Sequence, residues 1–490
     1  METASAIHVP VLRLGRPYRS LDVVEIAGPP GAPSATVSQA NAAIIRRDRA
    51  KLAEARGELS KLRTRDVLAI CADAAERFRD GTLPLGEATD GALSPDEYVA
   101  RLSIATGLPH ALCRRNMDKI HAMLARMSEV LRGLTRGLPD AVLDDGRGEQ
   151  AGIPLGYRAI TDALGVILPS NSPGVNSLWL PAVALRIPVV CKPGRADPFT
   201  PNRIAQALFA AGLPRCAISV YPTDHLGAEA VLEGCGRSLL FGDASTTSRH
   251  ASDPRIEIHG PGYSKVVIGS DLAGQVATSP ALLDVLVASI ADNGGRSCVN
   301  ASTIVTASHG DAIASALAHR LAAIVPRAPD DPAAGLAAFI DGDLAARIDA
   351  TVEKGLAVPG ATDLVSAIRK TPRLARAFGL TYLQPTLVRC ASFDHPLACR
   401  EFLFPYASVV EMNEKDIAAR IGPSLVVTAL THDGKLIAAL QQSPTIERLN
   451  VGPVPTSRVR WDQPHEGNLF ELLYRRRAVE SAPFSTENTP

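Results

Sequence analysis

The sequence predicts an α/β protein with a mostly parallel sheet. Four short β-type runs follow one another after residue 160, and helical stretches such as 201–211 separate them. Strands that alternate with helices are typical of parallel sheets, whose ligands bind beyond the carboxyl ends of the strands. The four runs are 165–168, 187–191, 217–220 and 238–241.

A helical region is predicted ahead of this sheet. Alanine, leucine, arginine and glutamate dominate from Ser38 to about Phe78, and the apolar positions recur at helical spacing. Further helices are predicted at 95–106 and 109–136. The first of these follows Ser94, a residue type that caps helices, and it starts with a proline, which fits a first turn.

The composition excludes several function classes. The 490 residues include 51 lysines and arginines and 51 aspartates and glutamates, so no overall field would recruit nucleic acid or an anionic membrane. The eight cysteines stand singly, without a Cys-x-x-Cys pair, which argues against a zinc cluster and a disulfide framework. No apolar run approaches the roughly 20 residues that span a bilayer. We expect a soluble, cytoplasmic protein without a metal site, whose partner is a small molecule.

The most informative segment is 292–300, Asp-Asn-Gly-Gly-Arg-Ser-Cys-Val-Asn, which runs into the strand-like stretch 301–306. Glycines permit backbone angles that other residues resist, and they let a ligand approach the main chain closely. The loop therefore holds the thiol of Cys298 where a nucleophile would meet a substrate carbonyl. A cysteine that only fills buried space is the alternative, and the loop by itself favours neither.

Three further turns follow predicted strands, at the edge where such a sheet would bind a cofactor. They are 169–174, 191–195 and 242–246. None is a Gly-x-Gly-x-x-Gly fingerprint, and each by itself is compatible with a plain turn.

Taken in order, these turns carry a resemblance to one known family from about residue 150 to the C-terminus. Residues 293–298 match the asparagine-x-glycine-x-x-cysteine nucleophile motif of the aldehyde dehydrogenase superfamily, and 401–405, Glu-Phe-Leu-Phe-Pro, resemble its glutamate-x-phenylalanine-glycine-proline. The turns 169–173, 192–195 and 241–245 resemble its Pro-Trp-Asn-Phe-Pro, Lys-Pro-Ser-Glu and Phe-Thr-Gly-Ser turns. The first 150 residues match less well.

The resemblance implies a role for each matching residue. Cys298, as the thiolate, would attack the carbonyl of an aldehyde or acyl compound, and the Asn171 amide with the Cys298 backbone N–H would donate to the oxyanion. Lys192 would hold the adenosine ribose of a nicotinamide cofactor, and Glu401 the nicotinamide ribose. The other positions assigned to the cofactor are Ser170, Arg195, Gly242, Ser245 and Leu403.

One departure from the family concerns the general base. Members that hydrolyse their thioester carry Glu-Leu-Gly-Gly-Lys upstream of the cysteine, whereas 258–265 reads Ile-His-Gly-Pro-Gly-Tyr-Ser-Lys and places His259 or a glycine at the glutamate. The Gly-Pro-Gly resembles the branch that acylates coenzyme A, whose thiol needs less help from a base than water does. The sequence therefore favours an acyl-CoA reductase that interconverts an aldehyde and an acyl-CoA through a Cys298 thioester.

Other functions stay open. Hydrolysis to a free carboxylic acid is the main alternative, with Glu257 as the base in a shifted register; His259 itself is predicted to be a loop histidine bonded to backbone. A redox-inactive scaffold and a nucleotide-binding enzyme of another chemistry, such as a phosphate-activated acyl reductase, are further alternatives.

A second departure concerns the choice between NADP and NAD. Where family members that prefer NAD have a glutamate after Lys-Pro-Ser, this chain has Arg195. An arginine beside that ribose can pair with the 2′-phosphate of NADP, so NADP is favoured. An arginine that points into solvent is the alternative.

The resemblance also implies the architecture. A helical N-terminal region, 1–150, would join a parallel-sheet dinucleotide-binding domain, 151–270, and a second α/β domain, 271–445, would carry Cys298. The active site would lie in the cleft between the two domains. The tail, 446–490, would return as a strand and an oligomerisation arm on a neighbouring subunit, so a homodimer or homotetramer is expected.

Overall fold

The computed structural model describes residues 7–26 and 35–480, and two seven-stranded sheets dominate this part of the chain. In the first sheet five neighbouring strands are parallel, and two antiparallel N-terminal strands extend it at one edge. In order across the sheet, the strands are Ile256–His259, Arg237–Phe241, Leu164–Ile167, Val189–Lys192, Ile218–Val220, Val11–Arg13 and Arg16–Tyr18.

The second sheet carries the strand that follows the cysteine loop. All neighbouring pairs in it are parallel except the first. In order across the sheet, the strands are Ala361–Asp363, Thr386–Cys390, Tyr406–Glu411, Ala301–Thr306, Ser264–Ile268, Ser424–Leu430 and Ile446–Val451. The α/β class with parallel sheets is thus confirmed.

Only four residues separate the two sheets along the chain. The edge strand of the first sheet ends at His259, and the strand Ser264–Ile268 of the second begins directly after residues 260–263, Gly-Pro-Gly-Tyr. Two extended segments this close in sequence bring the carboxyl end of one sheet beside the amino end of the other. The link therefore lies where the two halves of the protein face each other.

Helices cover both sheets and form most of the region before residue 147. The predicted helix 95–106 is confirmed as Pro95–Thr106, with Ser94 and Glu97 capping each other reciprocally. The predicted helix 109–136 is broken into two. The α-helices are Ala42–Arg49, Leu52–Ser60, Thr64–Asp80, Pro95–Thr106, His110–Ala125, Met127–Leu134, Ala141–Asp144, Pro181–Ala184, Phe199–Ala210, His225–Gly234, Ala244–Thr247, Ser270–Val276, Pro280–Ala291, Gly310–Ala322, Gly342–Leu356, Leu364–Arg369, Glu414–Arg420, Gly434–Gln441 and Leu469–Leu473.

The description of 1–150 as helical was wrong near its start, because short strands precede the first helix. Each spans three or four residues, and some pair with a partner far away in sequence, as Leu12 does with Val220. Runs this short show no periodicity that could mark them as strands. Besides Val11–Arg13 and Arg16–Tyr18, they are Ile7–Val9, Val23–Ile26 and Ala35–Ser38, which form a small sheet of their own.

The second sheet extends beyond the predicted domain bounds of 271 and 445. It includes Ser264–Ile268 before the first bound and Ile446–Val451 after the second. Both join the sheet through pairing with the strand Ser424–Leu430, and no change in composition marks either bound. The chain then returns to the first half, where Tyr474–Arg477 pairs with Ile153–Ala159. Assembly through this tail stays a prediction.

Within residues 7–26 and 35–480, three smaller sheets lie outside those already described. They are the hairpins Leu83–Pro84 with Ala92–Leu93 and Leu374–Ala377 with Leu380–Leu383, and the three-stranded sheet of Tyr474–Arg477, Ile153–Ala159 and Arg147–Gln150. Within the same residues, no single helix has the length and apolar character to cross a membrane. One helix pair, Ser270–Val276 and Pro280–Gly295, passes that test jointly but is bent by 96°.

Candidate functional site

A cleft of about 960 Å³ contains Cys298 and draws its lining from both halves of the protein. Cys298 is partly exposed in this cleft. Asn171, His259 and Glu401 also line it, so the structure brings together four of the residues singled out from the sequence. The predicted cofactor positions Ser170, Gly242, Ser245 and Leu403 line it as well.

The backbone before Cys298 turns in a way that requires glycine. Asn293, Gly294 and Gly295 adopt successive left-handed conformations, with φ of 55°, 65° and 70°. A Cβ at Gly295 would lie 2.3 Å from the backbone nitrogen of Pro405, so no side chain fits there. The nucleophile loop is thereby pressed against the segment that follows Glu401.

A chain of amide side chains ties this loop to the turn that carries Asn171. The Asn293 Nδ2 group donates to Ser172 Oγ at 3.1 Å and to Ser297 Oγ at 3.0 Å. Asn116, on the helix His110–Ala125, donates to Asn293 Oδ1 at 2.7 Å. Sequence analysis missed Asn116, because an asparagine within a helix carries no pattern that reveals a partner 177 residues away.

The surroundings of Cys298 disfavour its thiolate in the resting state. Enclosure in the cleft raises the pKa of the thiol well above its ordinary value, and the carboxylates of Glu466 and Glu401 raise it further. The backbone N–H groups of Cys298 and Val299 point to the sulfur and oppose this rise. The thiol is therefore protonated at neutral pH until binding changes its surroundings.

Asn171 lies beside the main chain of the nucleophile loop. Its Nδ2 group donates to the carbonyl oxygen of Arg296 at 2.9 Å, two residues before Cys298. Its Oδ1 atom is buried and has no hydrogen-bond partner among the described residues. The amide thus lies against the loop that carries Cys298, and its contact with an oxyanion stays a prediction.

The three predicted cofactor turns lie together at the carboxyl edge of the first sheet. Gly194 approaches the Pro169 carbonyl so closely that a Cβ would lie 2.3 Å from its oxygen, and Ala196 N–H donates to Ser170 Oγ at 3.1 Å. In the third turn, Ser245 Oγ donates to an Asp243 carboxylate oxygen at 2.6 Å. This edge is where parallel sheets bind dinucleotides.

Lys192 and Arg195 sit on the middle turn and are not part of the described cleft lining. Lys192 is partly buried, which lowers the pKa of its ammonium group. Arg195 is exposed. Neither side chain forms an ion pair or hydrogen bond with another residue of the described ranges, so both are available to a ligand.

Glu401 faces the link between the two sheets. One carboxylate oxygen accepts from the Tyr263 backbone N–H at 2.7 Å. Burial raises the pKa of this carboxyl to about 7, against the opposing effect of the backbone N–H groups of Tyr263 and Gly262. The residue is therefore close to half-protonated at neutral pH.

His259 differs from the loop histidine that the sequence predicted. It ends the strand Ile256–His259, is buried, and stacks on Phe241 with ring centroids 4.4 Å apart. Its ring nitrogens contact side chains rather than backbone: Nδ1 bonds to Glu466, and Nε2 lies 3.2 Å from Glu257. The sequence could not predict this environment, because Glu466 lies 207 residues further along the chain.

Comparison with known proteins identifies the family that the sequence motifs resemble. The sequence model of the aldehyde dehydrogenase family matches residues 96–422, two thirds of the chain, and this range includes Asn171, Cys298 and Glu401. The chain belongs to the aldehyde dehydrogenase family. The vanillin dehydrogenase of Pseudomonas sp. is 27% identical over 218 residues, which are 41% of this chain and 44% of that protein.

Solved structures of the family share the fold. A putative aldehyde dehydrogenase from Burkholderia cenocepacia superposes with a TM-score of 0.77 at 17% identity, covering 96% of this chain and 97% of that one. An NAD-dependent aldehyde dehydrogenase from Sinorhizobium meliloti gives the same TM-score at 16% identity, covering 98% and 96%. At sequence identities this low, the structural similarity shows only that the fold is shared.

In this aldehyde dehydrogenase, a segment near the C-terminus forms one wall of the cleft. Ser457, Val459, Trp461 and His465 contribute to the lining, and sequence analysis missed all four. The segment is anchored on the nucleophile loop, because Ser457 Oγ donates to Asp292 at 2.6 Å. No strand or turn motif marks these residues, so only the fold reveals their position.

The left-handed turn before Cys298 leads to a prediction about the stability of the folded protein. Gly295→Ala should destabilise the protein by about 2–5 kcal/mol, since it combines an unfavourable positive φ with a clash against Pro405. The matched control is Gly379→Ala, where φ is 75° but nothing lies within 4 Å of a Cβ; it should cost about 1–2 kcal/mol. Urea unfolding measures both, and equal losses would contradict the packing argument.

The carboxylates around His259 predict a pH dependence. Burial by itself lowers the pKa of His259, but its contacts with Glu257 and Glu466 outweigh burial and raise the pKa to about 9. A pKa above the unfolded value of 6.5 means stability that is fully present below pH 6.5 and is lost as the pH rises through about 9. The expected loss is on the order of 3 kcal/mol.

The test compares unfolding of the wild type and of Glu466→Gln from pH 6.5 to 9.5. The variant should show a much smaller loss over this range, and the comparison cancels groups that titrate in both proteins, such as Lys265, whose pKa is lowered to about 8. Parallel curves for the two proteins would mean that Glu466 does not hold the histidine in its charged form.

Proposed function

We propose that this protein is an NAD(P)-dependent enzyme that interconverts an aldehyde and an acyl-CoA through a thioester on Cys298. The observation that supports acyl transfer to a thiol is the state of His259, which the resemblance, with a glycine as the alternative, places at the position of the family's general base. Both of its ring nitrogens are bonded to carboxylates, and its raised pKa keeps it charged at neutral pH. An imidazolium with no free nitrogen cannot take a proton from water.

The reaction uses groups already present in the cleft. The Cys298 sulfur, once deprotonated, forms a bond to the aldehyde carbon, and the Asn171 amide and the Cys298 backbone N–H donate to the resulting oxyanion. A bound nicotinamide dinucleotide supplies the hydride acceptor, or the donor in the reverse direction. Loss of hydride from the carbon leaves an acyl thioester on Cys298.

Transfer to coenzyme A needs no net proton. The CoA sulfur forms a bond to the acyl carbon, the bond to Cys298 breaks, and the proton of the CoA thiol ends on the Cys298 sulfur. A thiol with a pKa of roughly 8.5 is ionised far more readily than water, so this step proceeds without a strong base. The carboxylates of Glu257 and Glu466 are both engaged by the His259 ring.

Binding of a nicotinamide cofactor is supported by the three turns at the carboxyl edge of the first sheet and by the ammonium group of Lys192. Ser170, Gly242 and Ser245 line the cleft at the carboxyl edge of the first sheet, and Gly194 lets two of the turns approach each other closely. Lys192, whose ammonium group has no partner in the described ranges, would bind the ribose of the adenosine half. Glu401 would orient the nicotinamide ribose.

Hydrolysis is the second candidate, and Glu466 is the observation that favours it. Its carboxylate is close enough to Cys298 to raise the pKa of the thiol, so it would reach a water that attacks the thioester. The resemblance to vanillin dehydrogenase points the same way if this chain shares that protein's chemistry.

The acyl acceptor is tested by product analysis. With an aldehyde and an oxidised nicotinamide cofactor, we expect coenzyme A to accelerate turnover at least tenfold and mass spectrometry to find acyl-CoA. Glu257→Gln should keep this CoA-dependent rate, and Cys298→Ser should lose it, because a hydroxyl ionises far less readily than a thiol. Free acid formed at the same rate with and without CoA, and lost in Glu466→Gln, would establish hydrolysis instead.

Arg195 supplies a prediction for cofactor choice. We expect NADP to be used more efficiently than NAD, and Arg195→Glu should lower that preference about tenfold or more, since a charge-assisted contact to the 2′-phosphate is replaced by repulsion. Arg376→Glu, an exposed charge reversal on the hairpin of the second half, is the control and should leave the ratio unchanged. If the ratio of kcat/KM for NADP to kcat/KM for NAD is the same in wild type and Arg195→Glu, this arginine does not contact the 2′-phosphate of the ribose.

A further inference from the structure

Lys119 lines the cleft without a partner of its own. It lies on the helix His110–Ala125, one turn after Asn116, and its lining neighbours include Cys298 and Ser297. Within residues 7–26 and 35–480, its ammonium group forms no hydrogen bond and no ion pair. Its Cδ lies 3.5 Å from where a Cβ at residue 174 would be, so a side chain in place of Gly174 would contact the lysine stem.

The environment of Lys119 makes an unpaired ammonium group unfavourable. Burial lowers the pKa of its ammonium group; Asp292 and Cys298 oppose this shift, and Arg115 adds to it. Asp292 is already engaged, since it accepts from Ser457 at 2.6 Å. A partly buried cation with no close counter-ion is stabilised by any anion that reaches it.

Arg296 adds a second positive charge to the same wall. Its two terminal nitrogens donate to the backbone carbonyls of Thr106 and Ala338, and the guanidinium lies 5.0 Å from the Phe339 ring centroid. Burial lowers its pKa to about 10, so the group stays charged at neutral pH. No carboxylate of the described chain pairs with it. The wall therefore carries two cations without a close anionic partner.

Apolar side chains also line the cleft, among them Val175, Leu178, Val459 and Trp461. A ligand that matches the two cations and the apolar lining has a hydrocarbon chain with a negative group at its end. An uncharged aldehyde would leave the Lys119 ammonium group desolvated and unpaired.

We propose that Lys119 is a specificity residue that binds the carboxylate of a substrate carrying an aldehyde at its other end. The substrate class is then an ω-oxo acid whose carboxylate pairs with Lys119 while its aldehyde carbon meets Cys298. This assignment rests on the proposed role of Cys298. Hydrogen bonds between charged groups contribute enough for about a ten- to hundredfold discrimination against an uncharged analogue.

The kinetic experiment compares 4-oxobutanoate and 5-oxopentanoate with their methyl esters. The wild type should show kcat/KM for the acids about ten- to a hundredfold above the esters. Lys119→Met should remove this difference by losing activity on the acids alone, and Lys119→Arg should restore most of it. Arg376→Gln, which removes an exposed charge on the hairpin of the second half, should leave the ratio unchanged. Equal activity on acids and esters in the wild type, or an unchanged ratio in Lys119→Met, would overturn the proposal.

A binding experiment separates this inference from the catalytic proposal. Pentanedioate cannot form a thioester by hydride transfer, so its affinity, measured by calorimetry, does not depend on turnover. We expect it to bind the wild type and Cys298→Ser with similar affinity and to bind Lys119→Met at least tenfold more weakly. Equal affinity for wild type and Lys119→Met would overturn the role of Lys119 even if Cys298 is the nucleophile. Loss of turnover in Cys298→Ser with unchanged binding keeps the two roles apart.

Discussion

The contact between Gly262 and the carbonyl of Cys298 is the constraint on which the site depends. A Cβ at residue 262 would lie 1.9 Å from that oxygen, so the link between the two sheets approaches the nucleophile as closely as a backbone can. Ser264 Oγ donates to the same oxygen at 2.9 Å, and the Tyr263 N–H binds Glu401. Four residues of link therefore fix the positions of His259, Cys298 and Glu401 together.

The candidate site residues that could be read from the sequence were those in short motifs. Asn171 follows the strand Leu164–Ile167, whereas Cys298 and Glu401 precede strands, and each of the three stands in such a motif. The residues that were missed, Asn116 and Lys119, lie within a helix whose pattern reports only its buried face. Their function depends on what stands opposite, which local sequence does not encode.

The partner of His259 was missed for the same reason. A histidine after a strand predicts a loop residue, and nothing near residue 259 indicates that a carboxylate from residue 466 will meet it. The short strands before residue 39 were missed because three residues are too few to show a period. The contact of His259 with Glu466 joins residues 207 positions apart along the chain.

The charges around Cys298 are divided between two sides of the cleft. The carboxylates of Glu401 and Glu466 stabilise the protonated thiol, whereas Lys119 and Arg296 form a positive wall. A resting thiol is a poor target for oxidants, since oxidation proceeds through the thiolate. The arrangement thus protects the sulfur between turnovers and leaves its activation to events in the filled cleft.

The wall formed by residues 457–465 also has a consequence for the newly made chain. Chains emerge from the ribosome with the N-terminal part first, and that part folds first. The cysteine loop can form while the segment that carries Trp461 and Glu466 is still being synthesised. Until that segment docks, the thiol lacks one wall of its cleft and one of the carboxylates that keep it protonated. Docking of residues 457–466 is therefore the step that completes the enclosure of the Cys298 thiol.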